Sequence, residues 1–197
     1  MLTCDLFGPL ELVTAPTEYP VTLAEIRSHL RTDTEDDDDD LLAIIKAATE
    51  FCEREINGER QIMLATYDLP LAGFWSGVLP LPRPPLSSVS FVKYYNTSDT
   101  LTEITSTQYL VRTPWRQPGT IERAPGTTWS YTTYNDRRLP VVIRFIAGYA
   151  SAAAVPHTIK QAVKIACGWM YENREPEAAD LMAVERLLAL NGYGAYA

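Results

Sequence analysis

The chain has 197 residues, 46% of them hydrophobic, with 25 acidic against 17 basic side chains and a formal net charge of −8. That length can bury one sizeable core, or one core interrupted by a long insertion, and the apolar content excludes wholesale disorder. The negative balance argues against a protein that wraps nucleic acid, because phosphate neutralisation needs clustered Lys and Arg.

The charge is unevenly placed. Residues 1–60 carry 15 acids and 5 bases, residues 61–155 carry 5 acids and 8 bases, and residues 156–197 carry 5 acids and 4 bases. Cys4, Cys52 and Cys167 are odd in number and widely spaced, so neither a zinc knuckle nor a redox dithiol is indicated. Cys52 and Cys167 fall in helical apolar patterns, where a thiol acts as a small hydrophobe. Met1–Leu10 lacks the basic segment of a secretory signal and contains Asp5, Gly8 and Pro9. No apolar run reaches the roughly 18–20 residues that span a bilayer, and synthesis in a cytoplasm is expected.

In chain order, residues 1–20 read as an arm or loosely held strand, broken by Pro9, Pro16 and Pro20. Thr22-Leu23-Ala24-Glu25 is a capping box, with Val21 and Ile26 placed as a hydrophobic staple. The spacing predicts a short helix ending near Arg31. Seven of the eight residues from Asp33 to Asp40 are acidic. A second helix is expected from Leu41, with Ile44, Ile45, Ala48, Cys52 and Ile56 on one face and Asn57-Gly58 as its stop.

From Gln61 to Gly148, β-branched and aromatic residues dominate and turn residues recur at short intervals. Strands are expected at Ile62–Leu69, Val78–Leu81, Ser88–Tyr95, Leu101–Ile104, Tyr109–Arg112, Thr120–Arg123 and Val141–Ala147. After a small-residue hinge at 149–155, Pro156 suits the first turn of a helix carrying Ile159, Val163, Ala166, Cys167 and Met170. Pro176 opens another, with Leu181, Val184, Leu187 and Leu188 facing inward and Asn191-Gly192 ending it. The expected class is α+β: a four-helix bundle of two N-terminal and two C-terminal helices, with a central β-rich sandwich or barrel-like insert. The expected division is an arm at 1–20, a helical domain from 21–60 and 149–192, an insert at 61–148 and a tail at 193–197.

Catalytic patterns are not evident. His29 and His157 are the two histidines, and no nucleophile motif, phosphate loop or zinc-protease signature accompanies them. The contiguous carboxylates Asp36–Asp40 lack the spaced ligands and turn Gly of a calcium loop; they read as a solvated, self-repelling loop. No cofactor and no metal are expected. Trp75, Trp115 and Trp129 are consistent with a sugar site, and more so with core or interface packing.

Four stretches in a set order carry a resemblance. They are Pro20-Val21-Thr22-Leu23-Ala24-Glu25 with His29-Leu30-Arg31 and the acidic run; Leu79-Pro80-Leu81-Pro82-Arg83-Pro84-Pro85-Leu86-Ser87-Ser88-Val89; Val142-Ile143-Arg144-Phe145-Ile146-Ala147-Gly148-Tyr149; and Trp169-Met170-Tyr171-Glu172-Asn173-Arg174-Glu175. Together, over about residues 18–190, they resemble the head–tail connector (adaptor) family of tailed bacteriophages, in the branch with a β-rich insert between its helices.

The resemblance implies a non-enzymatic virion protein forming a ring, expected to be dodecameric, beneath the portal. Its implied partners are further copies of itself, the portal protein, and a stopper or tail-completion protein, with genomic DNA passing through without specific binding. It implies assembly in the host cytoplasm and a final place in the virion neck. The expected portal and oligomer contacts are Trp169, Tyr171, Arg174, Leu187, Leu188, Tyr193 and Tyr196. Arg137 and Arg138 are expected to form a contact loop of the insert, and Asp36, Asp37, Asp38, Asp39 and Asp40 a loop facing the channel or solvent. The rival readings are another neck or tail-completion protein and a small β-rich carbohydrate-active enzyme.

Overall fold

The computed structural model describes residues 6–32, 37–55, 59–114, 117–129, 131–133, 136–173 and 182–189. Among them are four α-helices and eight β-strands, an α+β chain. It divides into two compact units, one made of Met1–Ala15 and Leu64–Gly148, the other of Pro16–Met63 and Tyr149–Ala197.

In the helical unit, α1 spans Leu23–Leu30 and is held at its start by the capping box. Glu25 N donates to Thr22 Oγ1 at 3.2 Å, and Thr22 N donates to Glu25 Oε2 at 2.9 Å. Val21 and Ile26, the staple pair, are both buried. Arg31 ends the helix at φ +58°, with its N–H on the Arg27 carbonyl.

α2 spans Asp38–Glu55 and begins three residues before the expected Leu41. Leu41 N already donates to Asp37 O at 2.9 Å, so Asp38, Asp39 and Asp40 form the first turn, where the helix dipole favours carboxylates. Leu41, Ile45, Ala48 and Cys52 make its buried stripe. α3, His157–Glu172, starts after Pro156 and buries Ile159, Ala162, Val163, Ala166 and Cys167. α4, Met182–Ala189, contributes Val184 and Leu188. α2 packs on α3 and α3 on α4, and α1 touches both α2 and α3. The opening expected at Pro176 and the stop expected at Asn191-Gly192 lie outside the described residues.

The β unit holds two antiparallel sheets. Five strands run in the order β1 (Glu11–Thr14), β2 (Ala65–Leu71), β8 (Val141–Ala147), β4 (Leu86–Tyr95) and β5 (Leu101–Ile104). Three more run in the order β3 (Val78–Pro80), β7 (Thr120–Arg123) and β6 (Tyr109–Arg112). β8 is the hub, pairing with β2 from Ala65↔Ala147 to Leu71↔Val141 and with β4 on its other side. Its alternate residues Val141, Ile143, Phe145 and Ala147 are fully buried, the period-two pattern of a strand with one face in a core. Leu79, Tyr109 and Ile121 of the small sheet join Leu69, Val92 and Phe145 of the large one in a single buried cluster.

β5 to β8 keep the bounds expected from residue type and turn punctuation. β2 starts at Ala65 rather than Ile62, because Ile62 and Met63 belong to the core of the helical unit. Glu11–Thr14, within the expected arm, pairs with β2.

Gly119 fixes one close approach. A Cβ built there meets the Leu86 side chain at 2.2–2.7 Å, and Gly119 O accepts from Leu81 N at 2.8 Å. Gly119→Ala is therefore expected to lower unfolding stability by about 1–3 kcal/mol through overpacking. A denaturant titration reads this directly; an unchanged midpoint would mean that Leu86 gives way without cost.

Candidate interaction surfaces

The acidic run does not stand free of the helices. Asp38 accepts Arg27 Nε at 2.8 Å and also pairs with the Nη2 of the same guanidinium. Tyr171 Oη donates to Asp37 Oδ2 at 2.8 Å. Two carboxylates at the head of α2 are thereby tied to α1 and α3, and the Arg27 guanidinium offsets the charge of one of them, Asp38. A third tie is Lys164 Nζ to Glu25 Oε1 at 3.5 Å. Asp39 and Asp40 are exposed, while Asp36 lies outside the described residues. Sequence reading missed these pairings. Partners 11 and 134 residues apart leave no local spacing signal.

The residues expected at a portal or oligomer contact fall into two groups. Trp169, Tyr171 and Leu187 are partly buried against the helical core, and Leu188 is wholly inside it. Arg174, Tyr193 and Tyr196 lie outside the described residues.

In the β unit, the Arg137 guanidinium sits 3.6 Å from the centre of the Tyr95 ring and forks onto Asp99, with Nη2 to Oδ2 at 3.2 Å. The arginine holds the Asp99 carboxyl below the usual carboxylate range. Arg137 is thus anchored on its own sheet, and Arg138 beside it is exposed. Arg144 makes a second fork on Asp68, both bonds 2.8 Å, and that carboxylate raises the guanidinium pKa.

Five aromatic rings, Phe74, Trp75, Tyr94, Trp129 and Tyr131, pack together, with Trp75 edge-on to Trp129 at 4.7 Å. Beside them a cleft of about 280 Å³ is lined by Phe74, Trp75, Ser76, Gly77, Glu122, Arg123 and Trp129. Both indole N–H groups are already engaged, Trp75 with Ile121 O at 3.3 Å and Trp129 with Gln108 O at 3.2 Å. Glu122, the one carboxylate among the described residues lining the cleft, pairs with Arg112 at 2.8 Å. Glycoside hydrolysis in its usual form needs two carboxyl groups flanking the bond. Trp115 lies outside the described residues.

Among the described residues, no three His, Cys, Asp or Glu side chains converge as metal ligands do. Burial pushes the Cys52 and Cys167 thiols up to about 12, so both are protonated and unreactive at neutral pH.

Residues 20–109 match the family model described as phage gp6-like head-tail connector protein. This is the family that the sequence motifs resemble. No curated protein matches the chain. Three solved structures share its fold, each at 24% identity over 92% of this chain and 95% of the other: a chain in the neck of an empty GTA particle computed with C6 symmetry (TM-score 0.74), one in the virion of a native gene transfer agent (GTA) particle (0.75), and one in the neck of a native GTA particle computed with C12 symmetry (0.73).

The capping carboxylate gives a pH test. Glu25 is held below its ordinary pKa, first by the Thr22 amide and also by Lys164 and Lys160. A carboxylate with a depressed folded pKa adds stability above its unfolded pKa and loses it as pH falls through the folded value. Melting temperature is therefore expected to fall on acidification from about pH 5 to pH 3, and to fall less steeply in Glu25→Gln. Identical slopes in the two proteins would contradict this.

Proposed function

We propose that this chain is a structural head–tail connector subunit, one copy in a ring in the neck of a tailed-phage-like particle. The observation that carries the reading is the connector-family match over residues 20–109. The likeness of fold along 92% of the chain to proteins of GTA necks and a GTA virion accompanies it.

The ring sits beneath the portal, carries a stopper or tail-completion protein below, and continues the DNA channel. Twelve copies are proposed; one of the similar neck structures was computed with C12 symmetry. The four helices pack as one bundle that forms the ring wall, and the β-rich unit between them in sequence presents its own surface to neighbours. Asp39 and Asp40, exposed at the head of α2, border the channel, where like charge keeps DNA from sticking. Arg138 contributes to the contact loop of the insert. The segment 191–197, with Tyr193 and Tyr196, docks on the portal, and Trp169 and Leu187 support that contact. The subunit is made in the host cytoplasm and performs no reaction. Among the described residues the aromatic cleft is lined by one carboxylate, Glu122, which is paired with Arg112; this favours the connector reading over a glycosidase.

Particles made without the chain test the reading. DNA-filled heads without attached tails are expected by electron microscopy, with transfer of packaged DNA reduced to background. Normally tailed particles would overturn it. A milder variant, Asp39→Asn with Asp40→Asn, should assemble normally and slow DNA exit.

A further inference from the structure

We propose that copies of this chain join edge to edge, β1 of one copy pairing antiparallel with β6 of the next. The inference rests on the ring reading above and names the strands that link its members.

β1 and β6 each end their sheet, with no strand beyond them among the described residues. All four residues of β1 are exposed, as are the last three of β6. Leu12 and Val13 are 55% and 43% exposed, and Leu110 and Val111 are 39% and 36% exposed. An apolar edge with open backbone groups is a template for another strand, and a protein that stays alone usually breaks it with charge, proline or cover. The other two edges fit less well. β3 is three residues long and ends in Pro80, and β5 carries its charge, Glu103, inside the strand rather than at its end, where antiparallel alignment would set it against Leu12 of β1.

The two open edges are also complementary. Antiparallel alignment sets Glu11 against Arg112, Leu12 against Val111 and Val13 against Leu110. One ion pair and two apolar pairs then form across four-residue strands of equal length, the kind of cross-strand contact that stabilises sheets. The Arg112 side chain is 67% exposed where it meets Glu122, so it can reach a second carboxylate. The ladder from β1 to β2 shifts register between Leu12 and Thr14, which keeps the joint short.

Because the two edges differ, the contact is heterologous. Each copy that uses its β1 still offers its β6, so the chain of copies continues until rotation closes it. Pairing β1 with β1 would instead stop at a dimer.

The test is disulfide trapping in the full-length chain with Cys4→Ser, Leu12→Cys and Val111→Cys; Cys52 and Cys167 are buried. After concentration and mild oxidation, a ladder of linked species running beyond the dimer is expected on a non-reducing gel. The two single variants should remain unlinked. Glu11→Arg should lower the ring fraction in sedimentation by about tenfold, and adding Arg112→Glu should restore it. Rings in sedimentation without linkage in the double variant would overturn the proposal and leave the ring reading intact. Linked dimers from Leu12→Cys alone would also overturn it, by showing a β1–β1 contact. A chain that is monomeric at every concentration and never links would sink both.

Discussion

The helical unit is made of two stretches of chain separated by the whole β excursion, and it exists only if exit and return are clamped together. The clamp is a small polar cluster at the end of α2. Glu53 accepts Ile62 N and Gln61 Nε2, both at 2.8 Å, and the Glu53 carbonyl accepts Arg60 N at 3.0 Å. The returning chain closes on the same place: Tyr149 N donates to Ile62 O at 2.9 Å, and Met63 and Tyr149 form a parallel bridge. Arg60 is buried here, its pKa lowered by that burial and partly restored by Tyr149. Closing a long loop costs only slowly rising entropy, so a few well-made bonds at its neck are enough to let α3 find α2. Everything the helices do as a unit depends on this junction.

The charge of the chain takes a different meaning once its partners are known. As a string of letters, the N-terminal acids look like a repelling loop. In the folded chain, Asp37 and Asp38 lie where α1, α2 and α3 meet, each with a specific donor. Half-exposed pairs of this kind add modest stability, more where the arginine grips with two nitrogens. Their larger effect is geometric: they set how α2 begins relative to its neighbours. Among the described residues of the run, Asp39 and Asp40 are the exposed ones. In the β unit, Arg137 and Arg144 are likewise each forked onto an aspartate of their own sheet.

Much of the fold was legible because it rests on local rules. The Thr22–Glu25 box named the start of α1 to the residue, and β-branched and aromatic runs between turn residues delivered the bounds of β5 to β8. The start of α2 was misplaced because apolar periodicity begins at Leu41, while the turn that precedes it is stabilised by the dipole acting on acids. β2 was begun too early because Ile62 and Met63 are apolar in either core, and only the tertiary partner decides which one takes them. Strand order was not legible at all: β8 enters last and lies at the centre, and no short-range pattern encodes that. β1 falls in a stretch that reads as an arm or loosely held strand because Pro9, Pro16 and Pro20 interrupt it, and its four exposed residues leave no apolar face to sharpen that reading. Of the candidate surface, the residue types were visible, but whether an arginine or aspartate is spent inside the subunit depends on partners far away in sequence.

A chain that folds by itself and, on the proposed reading, then assembles faces opposing demands on its sheets. The interior is settled decisively, with Val141, Ile143 and Phe145 of β8 completely buried between two ladders. The edges are left short and partly unguarded. Long flat edges would pair indiscriminately in a crowded cytoplasm, whereas four-residue edges, one of them interrupted at Leu12–Thr14, hold weakly one at a time. Weak heterologous contacts become strong only when many act together in a closed array, because each copy is then held from both sides. Short edges therefore suit the proposed assembly, in which copies separate when dilute and close into a circle when concentrated. The hub strand β8 and the edge strands β1 and β6 thus have different tasks on the proposed pairing: the first makes the chain independent of its neighbours, and the other two let that independence be given up.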